Sequence, residues 1–262
     1  MMWLRVGAMV ARYMYLYRRS LARSGEVFFW PVMELLVWGF LMTYLRRHML
    51  PSAIVWLLGG MIFWDVLYRS QQAITLSLSE DIWAKNLINL FIAPISVFEL
   101  LLATCFMGVI KATITILVLG TLASVLYAFD ILTIGAALLP FMLVLLLFGW
   151  ALGTFTMGLI LRFGKAAEAL VWGIPFLVQP FSAVFYPVDV LPQPLRAGAY
   201  LLPSTYVFEG MRAVVSHGTF DIRTLGIAFG LNLVYLGLGS LFFGLMLRIV
   251  RERGHLSRLG ME

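Results

Sequence analysis

Long apolar runs separated by short polar segments organise this chain. Six of them cover residues 27–45, 51–75, 97–129, 131–161, 169–188 and 224–247. About 20 mostly apolar residues in helical form cross the roughly 30 Å of bilayer hydrocarbon, so each run predicts a membrane span. Helices are the required form, because lipid offers no partner to a backbone N–H or C=O. Strands of a membrane barrel would be shorter and would alternate apolar and polar positions, which these runs do not. The pattern therefore predicts an all-α polytopic membrane protein with six transmembrane helices.

Charges inside these runs stand out because an isolated one costs about 2.5–3.5 kcal/mol at the bilayer centre on insertion scales. The last three runs carry none. The first holds Glu34, the second Asp65 and Arg69, and the third Glu99 and Lys111. Asp65 and Arg69 stand four residues apart, on one helix face, and are expected to neutralise each other. Glu99 sits near the end of its run and is read as wetted. Glu34 and Lys111 are the stronger candidates for an inner cavity or an interhelical pair. Gly149-x-x-x-Gly153 and Gly226-x-x-x-Gly230 predict close helix packing, within the bundle rather than between copies.

Three segments outside the runs carry further pattern. In residues 1–25, Arg5, Arg12, Arg19 and Arg23 fall within about 40° of one another on a helix. That predicts an amphipathic interface helix lying on one leaflet, arginines towards lipid phosphates. These arginines also break any apolar core of a signal peptide, so none is expected. In residues 78–92, Ser77 and Glu80 have the spacing of a capping box, and Asp81 adds charge suited to a helix start. Pro94 disfavours helical geometry at Ala93, so the helix is expected to stop there. Trp83, Leu87, Leu90 and Phe91 would then lie at the membrane edge. An ordinary loop helix and a docking element for a partner both fit. In the third segment, Pro175, Pro180, Pro187, Pro192, Pro194 and Pro203 crowd into residues 175–203. Proline removes a donor and clashes with the preceding turn. The fifth span should therefore be short or kinked, followed by a re-entrant element of broken helical pieces over 188–216. Ser204 or Thr205 is expected to cap a short helix through about Val215, with Glu209 and Arg212 placed to pair.

Composition agrees with the pattern. Of the 262 residues, 62% are hydrophobic and 12% charged. A soluble domain has about 25% charged residues, so a soluble enzyme is excluded. Thirteen lysines and arginines fall on the side of the N-terminus and five on the other, which predicts both termini in the cytoplasm. The net charge of +6 then reflects orientation. Nucleic-acid binding is not expected, since the basic residues are scattered over separate loops and ends. Cys105 stands alone inside a span, so neither a disulfide framework nor a thiolate metal site arises. The three histidines are far apart in the sequence, which argues against catalytic or metal clusters. No internal repeat of the kind common in secondary transporters is visible. Residues 249–262 form a basic tail.

The segments Phe185-Tyr186-Pro187-Val188-Asp189-Val190-Leu191-Pro192 and Leu202-Pro203-Ser204-Thr205-Tyr206-Val207-Phe208-Glu209-Gly210-Met211-Arg212 resemble a family signature. It belongs to the permease subunits of type-2 ATP-binding-cassette (ABC-2) exporters. Asn89-Leu90-Phe91-Ile92-Ala93-Pro94-Ile95-Ser96 is similar to that family's cytoplasmic element. One departure is Leu202, where the family often has Asn before the proline. The resemblance implies a homodimer, or a pair with a close relative, around a central path in the inner membrane of a bacterium. It implies two separate ATPase subunits, which bind the ATP and Mg that this chain does not. They would dock on a coupling surface of Glu80, Asp81, Trp83, Leu87, Leu90 and Phe91 together with Arg162 and Lys165. Tyr186, Pro187, Pro192, Pro203, Glu209 and Arg212 would form an outer re-entrant gate. The chain itself has three lysines and no Gly-x-x-x-x-Gly-Lys-Ser/Thr, so it has no phosphate-cradling loop of that type. The expected role is transport rather than catalysis, with an amphipathic small molecule, lipid or glycan as cargo. An ion-coupled secondary transporter and a membrane-embedded lipid-modifying enzyme are the alternatives.

Overall fold

A computed structural model of the chain describes residues 1–45, 51–86 and 92–252, which form helices joined by short turns, with no strand among the described residues. The long helices are α1 (Met2–Arg18), α2 (Leu21–Leu45), α3 (Pro51–Trp83), α4 (Val97–Tyr127), α5 (Leu138–Phe163) and α9 (Ile222–Glu252). Between α5 and α9 lie three shorter ones, α6 (Leu170–Val178), α7 (Gln193–Ala199) and α8 (Pro203–His217). Short 3₁₀ turns fill Ile131–Ala137, Gly164–Ala167 and Val188–Val190. Four helical segments are long and apolar enough to cross a membrane: Arg23–Tyr44, Val97–Tyr127, Ile134–Ala167 and Ile222–Glu252. The chain is a polytopic helical membrane protein.

The other two expected spans fall on α3 and α6. The second falls on α3, whose 33 residues extend about 50 Å at 1.5 Å per residue. Its polar run Arg69-Ser70-Gln71-Gln72 is buried by neighbouring helices, so α3 is the axis of the bundle and not a lipid-facing rod. The fifth is cut to nine residues in α6, with Pro175 inside it, about 14 Å long. Beyond it the chain breaks into turns, as the proline cluster predicts.

Helix α3 packs most extensively on α4 and α5, and α5 in turn on α9. Close approach of α3 and α5 depends on two glycines. A Cβ on Gly149 would lie 2.6 Å from the Ser70 Cβ and 2.7 Å from the Leu67 carbonyl oxygen. One on Gly153 would lie 2.9 Å from the Gln71 carbonyl oxygen. Across this seam the Ser70 hydroxyl donates to the Leu146 carbonyl at 2.8 Å. Gly226 and Gly230 do not repeat the arrangement, contrary to the expectation from their spacing: a Cβ at either meets nothing within 4 Å.

The helix start expected at Ser77 is also displaced. Ser77 lies deep in α3, its hydroxyl donating to the Ala73 carbonyl at 2.6 Å, one turn back. Residues 78–83 are therefore the last turns of α3, which unwinds at Lys85 with a left-handed φ of 54°. Residues 87–91 of the expected coupling helix, including Leu87, Leu90 and Phe91, lie outside the described residues. The capping box is formed instead by the second Ser-x-x-Glu of the chain. Ser96 Oγ accepts from the Glu99 N–H at 3.2 Å, and Glu99 accepts from the Ser96 N–H at 2.7 Å, opening α4. Pro94 explains the choice. It interrupts the helix and leaves Ser96 extended, as a cap requires, whereas no breaker precedes Ser77.

Candidate functional site

Helix α1 buries Val6, Met9 and Tyr13 against Ala73, Leu78, Leu100 and Met107, crossing α4 and the end of α3. The four arginines expected to face lipid do not all do so, and α1 ends at Arg18, so that Arg23 lies in the first turn of α2. Arg12 grips Asp81 with two hydrogen bonds, one of 3.1 Å from Nη1 to Oδ2 and a shorter one from Nη2 to Oδ1. Arg5 lies 3.6 Å from Glu99 and Arg23 lies 3.6 Å from Glu80. Arg19 alone of the four has no ion pair among the described residues, and it is exposed. The reason is proximity. α1 folds onto the bundle end where the three carboxylates sit, and a carboxylate buried there needs a cation more than a solvated phosphate does. The hydrogen bond to Asp81 holds the Arg12 guanidinium above its already high ordinary pKa, with burial opposing.

This locks Asp81, expected to face an ATPase, to α1 and pairs Glu80 with Arg23 at the start of α2; Asp81 is 3% exposed. What remains open on this end is Trp83, 43% exposed, with Lys165 exposed and Arg162 half-buried. A shallow depression lined by Ser79, Ile82, Trp83, Gly164, Lys165 and Glu168 joins the end of α3 to the turn after α5. The two stretches expected to contact one partner therefore share a surface. Asp81→Asn is expected to loosen α1, with a loss of about 1.5–3 kcal/mol for a charged hydrogen bond. Partial solvation of Arg12 places the result in the lower half of that range. A lower unfolding midpoint in detergent and faster trypsin cleavage at Arg18 and Arg19 would show it. Unchanged cleavage would disprove the latch.

Deeper in the bundle, α2, α3 and α6 enclose a cavity of about 400 Å³ lined by Trp30, Met33, Glu34, Val37, Trp38, Trp64, Tyr68, Arg69 and Phe176. Trp38 stacks on Phe185 at 4.6 Å between ring centroids and lines the cavity together with Glu34. Tyr68 and Phe176 meet at 5.9 Å, and the Arg69 guanidinium lies 5.5 Å over the Tyr68 ring. Asp65 and Arg69 pair at 3.5 Å, both more than nine-tenths buried. An apolar, aromatic wall with a few convergent polar groups is the general form of a small-molecule site.

Glu34 and Lys111 line different spaces. Lys111, 7% exposed, donates to the Tyr17 hydroxyl and lies 4.4 Å over its ring. Tyr17 and the cavity aromatics are absent from the residues singled out by sequence. Their signal was present as Trp30-x-x-x-Glu34-x-x-x-Trp38 on α2 and Trp64-x-x-x-Tyr68 on α3, each on one helix face.

At the opposite end, Arg212 donates to the Ala183 carbonyl at 2.8 Å, the Val184 carbonyl at 3.4 Å and Glu209 at 2.9 Å. Glu209 also accepts from the Val188 N–H at 2.7 Å. Ala183 has a left-handed φ of 54°, and the Val184 carbonyl sits so close to Gly60 of α3 that a Cβ there would lie 2.6 Å away. Tyr186 donates to the Pro180 carbonyl at 2.6 Å. Pro187 is half-buried, Pro192 exposed and Pro203 buried at the first turn of α8. Ser204 and Thr205 do not cap α8, because Pro203 already opens it. Their hydroxyls instead pair with Ser182 Oγ at 2.7 Å and donate to the Ala199 carbonyl at 2.7 Å. The broken segment is thus tied to α3 and α8 through its backbone.

Among the described residues no three His, Cys, Asp or Glu side chains gather to hold a metal ion. No curated protein matches the chain. Residues 8–215 match the family model of the ABC-2 type transporter, which places the chain in that family.

Proposed function

We propose that this chain is the transmembrane subunit of an ATP-driven ABC-2 exporter, with six membrane passages and both termini in the cytoplasm of a bacterial cell. Two copies form the path, and two separate ATPase subunits power it. The observation that carries the reading is the aromatic cavity between α2, α3 and α6, which is lined by Glu34 and by Arg69, itself paired with Asp65, and opens on a side of the bundle where Trp30, Val37 and Phe176 are exposed. Membership of the transporter family adds to it. Aromatic rings with a few charges suit an amphipathic cargo better than a free ion or a hydrophilic solute. α3 begins beside the tied segment, lines the cavity and ends in the turn at Trp83. A tilt of that one helix would link the ATPase end to the outer end.

The test is purification of the tagged chain in mild detergent, asking which ATPase accompanies it and in what ratio. An ATPase in equal amount, with vanadate-sensitive hydrolysis stimulated by cargo, is the expected result. A chain that comes out alone and moves substrate on an ion gradient would overturn the reading. Trp83→Asp is expected to insert and fold normally yet cut cargo-stimulated hydrolysis at least ten-fold. Normal coupling in that variant would remove the turn at Trp83 from the docking surface.

A further inference from the structure

Glu34 stands at the middle of the span Arg23–Tyr44, the depth at which an uncompensated charge costs most. Other charged groups inside the bundle have met partners of this chain. Asp65 and Arg69 pair at 3.5 Å, and Lys111 donates to the Tyr17 hydroxyl. Glu34 forms no ion pair with any described side chain. One helical turn to either side of it on α2 stand Trp30 and Trp38, and all three line the aromatic cavity of about 400 Å³. Trp64 and Phe176 add two further rings from α3 and α6. Trp64 is buried, whereas Trp30 and Phe176 are exposed, so the cavity has a closed floor and an open mouth. Its volume lies within the range of small-molecule sites.

Charge decides what such a space accepts. Arg69 is the one base of the lining, and Asp65 behind it cancels its charge. The Arg69 guanidinium also covers the Tyr68 ring, at 5.5 Å. What remains uncompensated is the Glu34 carboxylate. The faces of the surrounding rings are themselves electronegative and attract cations, indole most strongly. A bare metal ion does not suit the site. Glu34 and the Tyr68 hydroxyl are the only side-chain oxygens of the lining, too few ligands for a hard cation. We infer that the cavity binds an organic cation of amine or onium type, with its positive charge at Glu34 and its apolar body against Trp64 and Phe176. The binding site stands on the cavity alone; that the bound cation is the exported cargo rests on the proposed function.

The test uses the purified full chain in dodecyl maltoside, without ATP or any ATPase. Tetraphenylphosphonium and tetraphenylborate, alike in size and shape and opposite in charge, are titrated by calorimetry, each corrected for partition into empty micelles. The phosphonium is expected to bind saturably and about ten-fold more tightly than the borate. Glu34→Gln keeps the shape of the side chain and should weaken the phosphonium about ten-fold without weakening the borate. Trp30→Leu, at an exposed position, should weaken the phosphonium about three-fold through the lost ring face. That variant keeps the test decisive should Glu34→Gln fold poorly. Equal affinity for the two ions, preference for the borate, or indifference to both substitutions would overturn the proposal. Size-exclusion chromatography tests the rival in which a second copy of the chain supplies the missing cation. An oligomer that dissociates on Glu34→Gln, with no phosphonium bound by the parent, would overturn the proposal in favour of that rival. None of these failures touches the co-purified ATPase, so the exporter reading survives them. Selective phosphonium binding by a chain that carries no ATPase would keep the site and defeat the exporter reading.

Discussion

Arg212→Leu is expected to destabilise the protein by about 2–5 kcal/mol. Its buried guanidinium serves two buried carbonyls, while the carboxylate it leaves behind is one-third exposed. The arginine is 6% exposed and neutralises Glu209 while satisfying the Ala183 and Val184 carbonyls. Leucine fills part of the volume and supplies none of the donors. Two buried carbonyls and a carboxylate then lose their partner, and unsatisfied buried groups cost about 1–3 kcal/mol each. The strain at Ala183 would no longer be opposed, since a non-glycine residue held at positive φ persists only where its surroundings over-determine it. Glu209→Gln should cost less, because Glu209 is one-third exposed and glutamine can still accept from the Val188 N–H. The pair should be coupled, with the double variant losing less than the sum of the two. Unfolding in detergent measures the energies, and protease cleavage between 179 and 190 locates the loosening. Additive losses, or an Arg212→Leu variant as stable as the parent, would show that the clamp does not hold this segment.

Gly149→Ala should be the next most damaging change. The added carbon would lie 2.6 Å from the Ser70 Cβ and 2.7 Å from the Leu67 carbonyl oxygen, and the latter is backbone that cannot swing away. α3 and α5 must separate, at a cost of about 1–3 kcal/mol for overpacking, and the Ser70–Leu146 hydrogen bond lengthens with them. Gly226→Ala is the matched control. Nothing lies within 4 Å of its Cβ position, so the gain in helix propensity, about 1 kcal/mol, should appear as unchanged or higher stability. Opposite signs at two glycines of identical spacing would separate a packing glycine from a permissive one. Ser70→Gly should rescue Gly149→Ala only in part, because the Leu67 carbonyl remains. A neutral Gly149→Ala would mean that the α3–α5 seam is looser than its geometry.

The latch at α1 changes how motion would reach the bundle. Arg12 binds the last turn of α3 and Arg5 the first turn of α4, so a push on this end meets three helices at once. A partner bound at Trp83 and Lys165 would act on that unit and not on an isolated loop helix.

Membrane residence, helical class and the broken character of 175–203 were legible in the sequence, because each follows from local chemistry. Apolar length, the absence of breakers and the crowding of prolines act within a few residues of themselves. The Asp65–Arg69 and Glu209–Arg212 pairs were legible for the same reason, each lying within one turn of a single helix. Which of two Ser-x-x-Glu sequences caps a helix was decidable in principle, since Pro94 precedes only the second. What the tertiary structure alone decided is which distant groups meet. Arg12 finds Asp81 69 residues away, and Lys111 finds Tyr17 94 residues away, rather than Glu34. Gly149 packs and Gly226 does not, although their spacing is the same. Hydropathy and helical period set what each helix presents on its faces. The rotation and crossing of helices, set by the packing of all of them together, decide what those faces touch.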